Sequence, residues 1–505
     1  MTSVSKLEKM KILLINPPTR HTSRSNNPRV YLPLGLLYIA AMLEKNNYKV
    51  QLYDTLLSGK LIKKGDITHF GDSWDKIKQV VKKISPDVVG ISNMFSNQLP
   101  NALKVAELSK EVNKDITVIM GGPHASINPK DLLKNDFVDV VIIGEGEYTI
   151  LDIMKHLDKK INLKEIKGIA YKENENIIIN EKASPIKNLD ELPFPAYHLI
   201  DMERYFYLQT HGFGQRPLIN GKRPISMITS RGCPFNCIFC SVHLHMGKLW
   251  RAHSPQYILN HINYLICNYN IDFILFEDDN MSLGINRFKA ILNLIINKNL
   301  KIKWGPAQGV RADTLDIDTL KLMKKSGCSY LVIAIESGDQ RVLNEIIGKN
   351  MDLSKVIEIV KAAKKIKLET YSFYIIGFPG ETLNNIRSTI NFAKELDDKY
   401  GVFPLVHIAT PLLGTRLFKI CKEKGYLIKD VNEESLLIAT QFHGDGLIKT
   451  PEFTPDDLKK ENDRLNRNII KNLIKRSFSN PRLFINYLST TLKNPYLIKK
   501  YLFKS

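Results

Sequence analysis

The stretch that decides the reading is Ser230-Arg231-Gly232-Cys233-Pro234-Phe235-Asn236-Cys237-Ile238-Phe239-Cys240. Three cysteines fall within one short loop, opened by Gly232, directly after an apolar run at 225–230 that reads as a strand. Thiolates this close can each take one iron of a [4Fe–4S] cubane, leaving the fourth iron without a protein ligand and open to a small chelating molecule. Structural zinc is the competing reading. It takes four ligands, usually as two spaced pairs, and His243 or His245 could supply the fourth. Cys267, Cys328 and Cys421 stand apart in apolar or helical contexts and read as small buried hydrophobes. So few and so unevenly placed cysteines do not make a disulfide framework.

Outward from this loop runs an alternation of strands and helices. Strands are predicted at 225–230, 273–277, 303–308, 330–335, 369–375 and 405–409. Helices fit 254–268, 287–297, 317–326, 340–347, 353–366 and 383–396. Six such repeats fit a partial or full α/β barrel, whose working face is the C-terminal end of its strands. Chemically distinctive segments fall at that face: Phe276-Glu277-Asp278-Asp279-Asn280, Arg311-Ala312-Asp313, Glu336-Ser337-Gly338, Gly377-Phe378-Pro379-Gly380-Glu381-Thr382 and Thr410-Pro411-Leu412-Leu413-Gly414-Thr415.

With the Cx3Cx2C spacing and an aromatic, Phe239, before the last cysteine, this order of segments resembles the radical S-adenosylmethionine (SAM) superfamily. The resemblance implies that Cys233, Cys237 and Cys240 hold the cluster, and that SAM chelates the open iron. Reductive cleavage would then yield a 5′-deoxyadenosyl radical that abstracts hydrogen from a substrate. It implies SAM contacts from Phe239, Glu277, Asp278, Arg311, Glu336, Ser337 and Gly377, and an external electron donor of flavodoxin or ferredoxin type. No catalytic acid–base pair is implied beyond the cluster.

The first 160 residues form a second unit. Strands at 11–16 (KILLIN), 48–53, 87–92, 117–120 and 138–143 alternate with helices at 35–45, 74–84, 101–112 and 148–157. That is the pattern of a doubly wound, Rossmann-like sheet, which receives ligands beyond the carboxyl ends of its strands. Asn16-Pro17-Pro18, Pro33-Leu34-Gly35-Leu36, Val89-Gly90-Ile91-Ser92, Gly121-Gly122-Pro123-His124 and Gly144-Glu145-Gly146-Glu147 occupy such positions. Before a radical SAM core, this unit resembles the cobalamin-binding domain of B12-dependent radical SAM enzymes. Pro17, Pro33, Gly35, Ser92, Gly121, Gly122, His124, Gly144 and Glu145 are its implied cobalamin contacts. The Asp-x-His-x-x-Gly motif that ligates cobalt in many B12 proteins is absent. Its near miss, Asp66-Ile67-Thr68-His69-Phe70-Gly71, has the wrong spacing, so His69 reads as a surface loop residue.

Between the units, 161–220 holds a hairpin at 167–180 and an extended, proline-bearing linker at 190–197. The barrel occupies 221–430, and 431–505 is a helical extension. From 461 onward that extension carries ten Lys/Arg against two acids, with interleaved aromatics and a weak repeat at Asn480 and Asn494. It reads as a cap on the barrel or as a basic amphipathic segment that meets a membrane surface. The net charge of +20 attracts anions generally. No stretch approaches the roughly 20 apolar residues of a membrane span, and the polar start does not read as a secretory signal. A cytoplasmic enzyme is expected, with peripheral membrane contact as an extension of that reading.

Taken together, the resemblances imply cobalamin-dependent methylation of an unactivated carbon in a small-molecule or lipid-like substrate. One SAM would supply the methyl group and a second the radical. The alternative is a non-methylating cyclisation, oxidation or rearrangement, as in tetrapyrrole cyclases. A nucleic-acid-binding protein with a structural metal is the minor alternative and predicts salt-sensitive binding; nucleic acid is not the expected partner.

Overall fold

The computed structural model describes residues 10–22, 28–211, 221–439 and 445–477, with side chains described to 472. The amino-terminal strands are β1 (Lys11–Asn16), β2 (Thr19–Thr22), β3 (Lys49–Asp54), β4 (Leu61–Lys64), β5 (Ile67–Phe70), β6 (Val88–Ser92), β7 (Thr117–Gly121), β8 (Val140–Ile142), β9 (Ile169–Glu173) and β10 (Asn176–Ile179). Strands β3-β1-β6-β7-β8 lie side by side and parallel, and the β9–β10 hairpin continues the sheet antiparallel beyond β8. The strand order reverses between β1 and β6, which opens a crevice at their carboxyl ends. Helices cover both faces, and this explains the unbroken apolar run of β1. Leu13 and Ile15 enter one core while Ile12 and Leu14 enter the other.

Local chemistry sets several boundaries. The helix expected at 74–84 is Trp74–Ile84, because the Ser73 side chain accepts from the Lys76 N–H and Ser85 leaves the helix at φ 49°.

Six strands build the second domain's main sheet: β11 (Pro224–Met227), then, after the ribbon β12 (Ser230–Arg231) and β13 (Arg251–Ala252), β14 (Phe273–Phe276), β15 (Lys303–Pro306), β16 (Tyr330–Glu336), β17 (Glu369–Ile376) and β18 (Phe403–Ile408). They run parallel in sequence order. Bridges Trp304–Cys328 and Val310–Ile333 join β15 to β16, making a partial barrel. Its core is continuous with Val30, Leu32, Leu34 and Leu37 of the first domain.

The structure departs from the sequence reading at identifiable places. His69 is not a surface loop residue: it lies half-buried on β5, its Nε2 2.8 Å from the Asp72 carbonyl and its ring edge-on to Trp74. β5 pairs with β2 and β4 in a small antiparallel sheet that the sequence did not announce. Cys328 and Cys421 are buried, but Cys267 is exposed, on the outer face of helix Pro255–Tyr269. The region after the extended linker holds an unexpected helix, Met202–Thr210. The linker itself is glued to the barrel, with Phe194 stacked on His261 at 4.5 Å. The expected helix at 340–347 is a single π-helical turn, Val342–Ile346.

In the extension, helix Pro455–Ser477 packs on helix Leu383–Tyr400. Leu458, Leu465 and Ile469 are buried there, and Asn472 donates to Asp397 and Asp398. Its described part is therefore a barrel cap. The repeat at Asn480 and Asn494 and all of the interleaved aromatics lie outside the described residues. No helix among the described residues is long and apolar enough to cross a membrane.

Candidate cofactor site

The cysteine loop leaves the barrel where β11 gives way to the β12–β13 ribbon. Gly232 turns at φ 80°, and a Cβ there would sit 2.5 Å from the Leu249 carbonyl oxygen, so only glycine fits. Its N–H donates to Asp279 Oδ2 at 3.1 Å. Farther along, the Ile238 N–H donates to the Ile347 carbonyl and the Leu417 N–H to the Ile238 carbonyl, which anchors the loop from behind.

Burial pushes all three thiols up, Cys240 to about 12; neighbouring cysteines add to the rise at Cys237 and Cys240. Two cations oppose it: Arg311 acts on Cys233 and Cys237, and Lys349 on Cys237. No three His, Cys, Asp or Glu side chains among the described residues converge on one ion, and His243 and His245 complete no zinc set. A cubane takes its thiolates at separate iron corners rather than around one ion, so spaced thiols on one loop suit it better.

Of the residues expected to meet SAM, Phe239 lies within this loop and the others at or just beyond strand ends of the barrel. Glu277 accepts from Ser226 Oγ (3.0 Å) and Gln308 Nε2 (2.7 Å). The Arg311 guanidinium lies 3.6 Å from the Phe235 ring centroid and forks onto Asp313. Glu336, at φ 72° beside an irregularity in β16, accepts from buried Lys349 at 2.8 Å. Ser337 Oγ is 2.9 Å from Thr389 Oγ1. Phe239 packs against Phe378, ring centroids 5.9 Å apart. Gly377, at φ 95°, lies under Leu458 of the cap helix, and Glu381 Oε2 accepts from the Gly377 and Phe378 N–H groups at 2.7 Å each.

Asp278 stands apart. It is buried, and its carboxylate accepts from the Thr229 N–H, Thr229 Oγ1 and Ser230 Oγ, bracing the turn that delivers the cysteines. Asp279, Lys349 and Arg251 also belong to the site; no motif pointed to Lys349 or Arg251, and Asp279 lay in a quoted segment without being assigned a role. For Asp279 the usable signal was the run of acids at the end of a strand.

All nine residues expected to meet cobalamin lie along the carboxyl rim of the first domain's sheet. Pro17 follows β1, and Pro33 and Gly35 open the next helix, Leu34–Lys45. Among the described residues no atom lies within 4 Å of where a Gly35 Cβ would be. Ser92 ends β6. Gly121 ends β7, and Gly122 (φ 114°) follows so close to Asn93 that a Cβ would be 2.7 Å from its carbonyl oxygen. Buried His124 sits 2.8 Å from Ser96 Oγ through Nδ1, while its Nε2 has no partner among the described residues; burial lowers its pKa to about 4, so it is neutral. Gly144 and Glu145 follow β8.

This rim meets the cysteine loop. Helix Pro123–Ile127 packs against helix Val242–His245, which directly follows Cys240. A Cβ on Gly414 would touch both Ile127 (2.9 Å) and Leu244 (3.0 Å). Glu145 is not turned to open space. Its carboxylate bridges Arg231 (2.8 Å) and Arg251 (2.6 Å), and Glu147 takes the other arm of Arg231 at 2.6 Å.

The sequence matches the B12 binding domain model over residues 26–154 and the Radical SAM superfamily model over residues 227–393. An uncharacterized methyltransferase of Pyrococcus horikoshii is 36% identical over 454 residues, 89% of this chain and 90% of that protein. The chain belongs to the B12-binding radical SAM enzymes. Cytidylyl-2-hydroxyethylphosphonate methyltransferase of Streptomyces wedmorensis is 32% identical over 473 residues, 87% of this chain and 86% of that protein. The fold is that of the radical SAM methyltransferase TsrM from Kitasatospora setae (TM-score 0.69, 14% identity, 91% of this chain and 90% of that one). A [4Fe–4S] cluster, SAM and cobalamin are the cofactors of this B12-binding radical SAM enzyme. The three loop thiols, flanked by Arg311 and Lys349, fit an anionic thiolate-bound cluster. The His124 Nε2, without a partner among the described residues, and the open Gly35 position fit a ligand on the sheet rim.

Proposed function

We infer that the enzyme methylates an unactivated carbon of a small-molecule substrate held between its two domains. The observation that carries this reading is the apposition of the sheet rim and the cluster loop, with helix Pro123–Ile127 against Val242–His245. When bound, the cofactors supply a methyl group from the cobalamin side and a hydrogen-abstracting radical from the cluster side. The chain's own part is placement and exclusion of water. Cys233, Cys237 and Cys240 would hold the cluster, and Glu277, Arg311, Glu336, Ser337, Phe239 and Gly377 would orient SAM, with Asp278 bracing the loop from below. Pro17, Pro33, Gly35, Ser92, Gly121, Gly122, His124 and Gly144 would line the cobalamin face.

The reduced cluster needs an external one-electron donor, and we place a flavodoxin- or ferredoxin-type protein in that role, acting in the cytoplasm. A lipid-like substrate or peripheral membrane contact would rest on residues 478–505. Deleting them leaves the buried anchors Leu458, Leu465 and Ile469 in place, so unchanged co-sedimentation with anionic vesicles would remove that idea.

The test of methylation is anaerobic turnover with methyl-labelled SAM, hydroxocobalamin and a reductant, following both SAM-derived products. Methyl transfer demands S-adenosylhomocysteine together with 5′-deoxyadenosine. 5′-Deoxyadenosine without S-adenosylhomocysteine would favour cyclisation or rearrangement instead.

A further inference from the structure

Arg231 and Arg251 are direct cross-strand neighbours in the two-residue ribbon β12–β13. Their side chains are only 7% and 4% exposed. Like charges opposed across a ribbon repel, and burial weakens the screening that would relieve them. The ion pairs that balance them come from the other domain. Glu145 gives one carboxylate oxygen to each arginine, and Glu147 takes the second arm of Arg231. Four buried charges, two of each sign, therefore close across the domain boundary.

Both ends of this network matter. Arg231 lies two residues before Cys233. Arg251 donates to the carbonyls of Met246 and Leu249, and the Leu249 carbonyl is the group against which Gly232 is packed. Both sides of the cysteine-loop stem are thus held by the same pair of arginines. At the other end, Glu145 and Glu147 belong to the turn after β8, which begins with Gly144 on the cobalamin rim, and Glu145 also accepts from the Ile186 N–H at 2.9 Å.

We propose that Glu145 and Glu147 are positioning residues for the iron–sulfur cluster, holding the cysteine loop in register with the cobalamin domain and so setting the separation of the two metal centres. This role rests on the cofactor assignment of the family but not on methyl transfer. It gives Glu145 a different task from contact with cobalamin.

The holoenzyme tests it without any substrate, because the reduced cluster and cob(II)alamin are both paramagnetic. Pulsed dipolar electron paramagnetic resonance reads their separation directly. The wild-type enzyme should give one narrow distance. E145L/R251M removes one buried charge of each sign, and with them the Glu145–Arg251 and Glu145–Arg231 ion pairs, keeps the Arg231–Glu147 pair and preserves net charge, a replacement that proteins often tolerate without loss of stability. It should lose the single narrow distance, or lose the cluster while retaining cobalamin, at an unchanged thermal midpoint. R251K, a single substitution that keeps a charge facing Glu145, should retain the narrow distance. An unaltered distance in E145L/R251M, or a distribution in R251K as broad as in the double variant, would overturn the assignment. Should the double variant fail to fold, E147D shortens one arm only and carries the same test. A wild-type protein that binds neither cluster nor cobalamin would count against the cofactor reading rather than against the clamp.

Discussion

Replacing Gly232 with alanine strikes the cluster cradle at one defined atom. The residue sits at φ 80°, where a side chain costs about 1–2 kcal/mol. The added Cβ would lie 2.5 Å from the Leu249 carbonyl oxygen and 3.2 Å from that of Gly247. Both are backbone atoms, so the loop itself must move. That motion pulls the Gly232 N–H from Asp279, a hydrogen bond to a carboxylate worth about 1.5–3 kcal/mol. Together these amount to roughly 3–5 kcal/mol against the cradle geometry. At 1.4 kcal/mol per tenfold, the cluster-competent loop falls by roughly 100-fold or more. The assay is iron and sulfide per chain after anaerobic reconstitution, alongside the thermal midpoint. G247A is the matched control: it shares the left-handed backbone (φ 77°) but has no atom of the described residues within 4 Å of its new Cβ. It should retain most of its iron while G232A loses it. Equal iron content in wild type, G232A and G247A would refute the reasoning.

Other expectations follow from the same geometry. Burial raises the Glu381 carboxyl from 4.5 to about 7. The folded state therefore holds the proton more tightly, and stability is fullest below about pH 4.5 and lost as pH rises towards 7. At about 1.4 kcal/mol per unit this is on the order of 3 kcal/mol, so wild type minus E381Q stability, measured by urea unfolding from pH 4.5 to 8, should fall by that amount; a pH-independent difference would contradict it. D278N should lower the unfolding midpoint and the iron content together, since the carboxylate braces Thr229 and Ser230; a normal midpoint with only weakened SAM binding would show direct contact instead. Leu458, fully buried over Gly377, should cost about 2–5 kcal/mol on replacement with alanine, read by urea denaturation; a change below about 1 kcal/mol would mean that the cap helix is not part of the barrel core.

Much of this architecture was legible in the chain because parallel sheets write themselves plainly. β1, β6 and β7 are apolar on both faces and are bounded by polar or glycine residues, so their ends fell within a residue or two of expectation. The small β2–β5–β4 sheet was missed because its strands are only four residues long and half polar, with Lys63, Lys64 and His69 in place of an apolar stripe. The cysteine loop and the strand-end segments were readable because their spacing is local. The partners that shape the loop were not, because they are distant in sequence. Lys349 reaches Glu336 through a turn with no motif, and Glu145 meets Arg231 and Arg251 across 86 and 106 residues. Asp278 and Glu277 are neighbours with the same chemistry, and only three-dimensional placement tells the buried brace from the half-buried rim residue.

The central claim is that Cys233, Cys237 and Cys240 carry a cluster that cleaves SAM. Its most direct test is the yield of 5′-deoxyadenosine from anaerobically reconstituted, reduced enzyme with SAM, beside the variant with all three cysteines replaced by alanine. The wild-type enzyme should show iron–sulfur absorbance and form 5′-deoxyadenosine, and the triple variant should do neither at an unchanged fold. Cleavage that survives in the triple variant, or a wild-type protein that assembles a cluster and leaves SAM intact, would contradict the account.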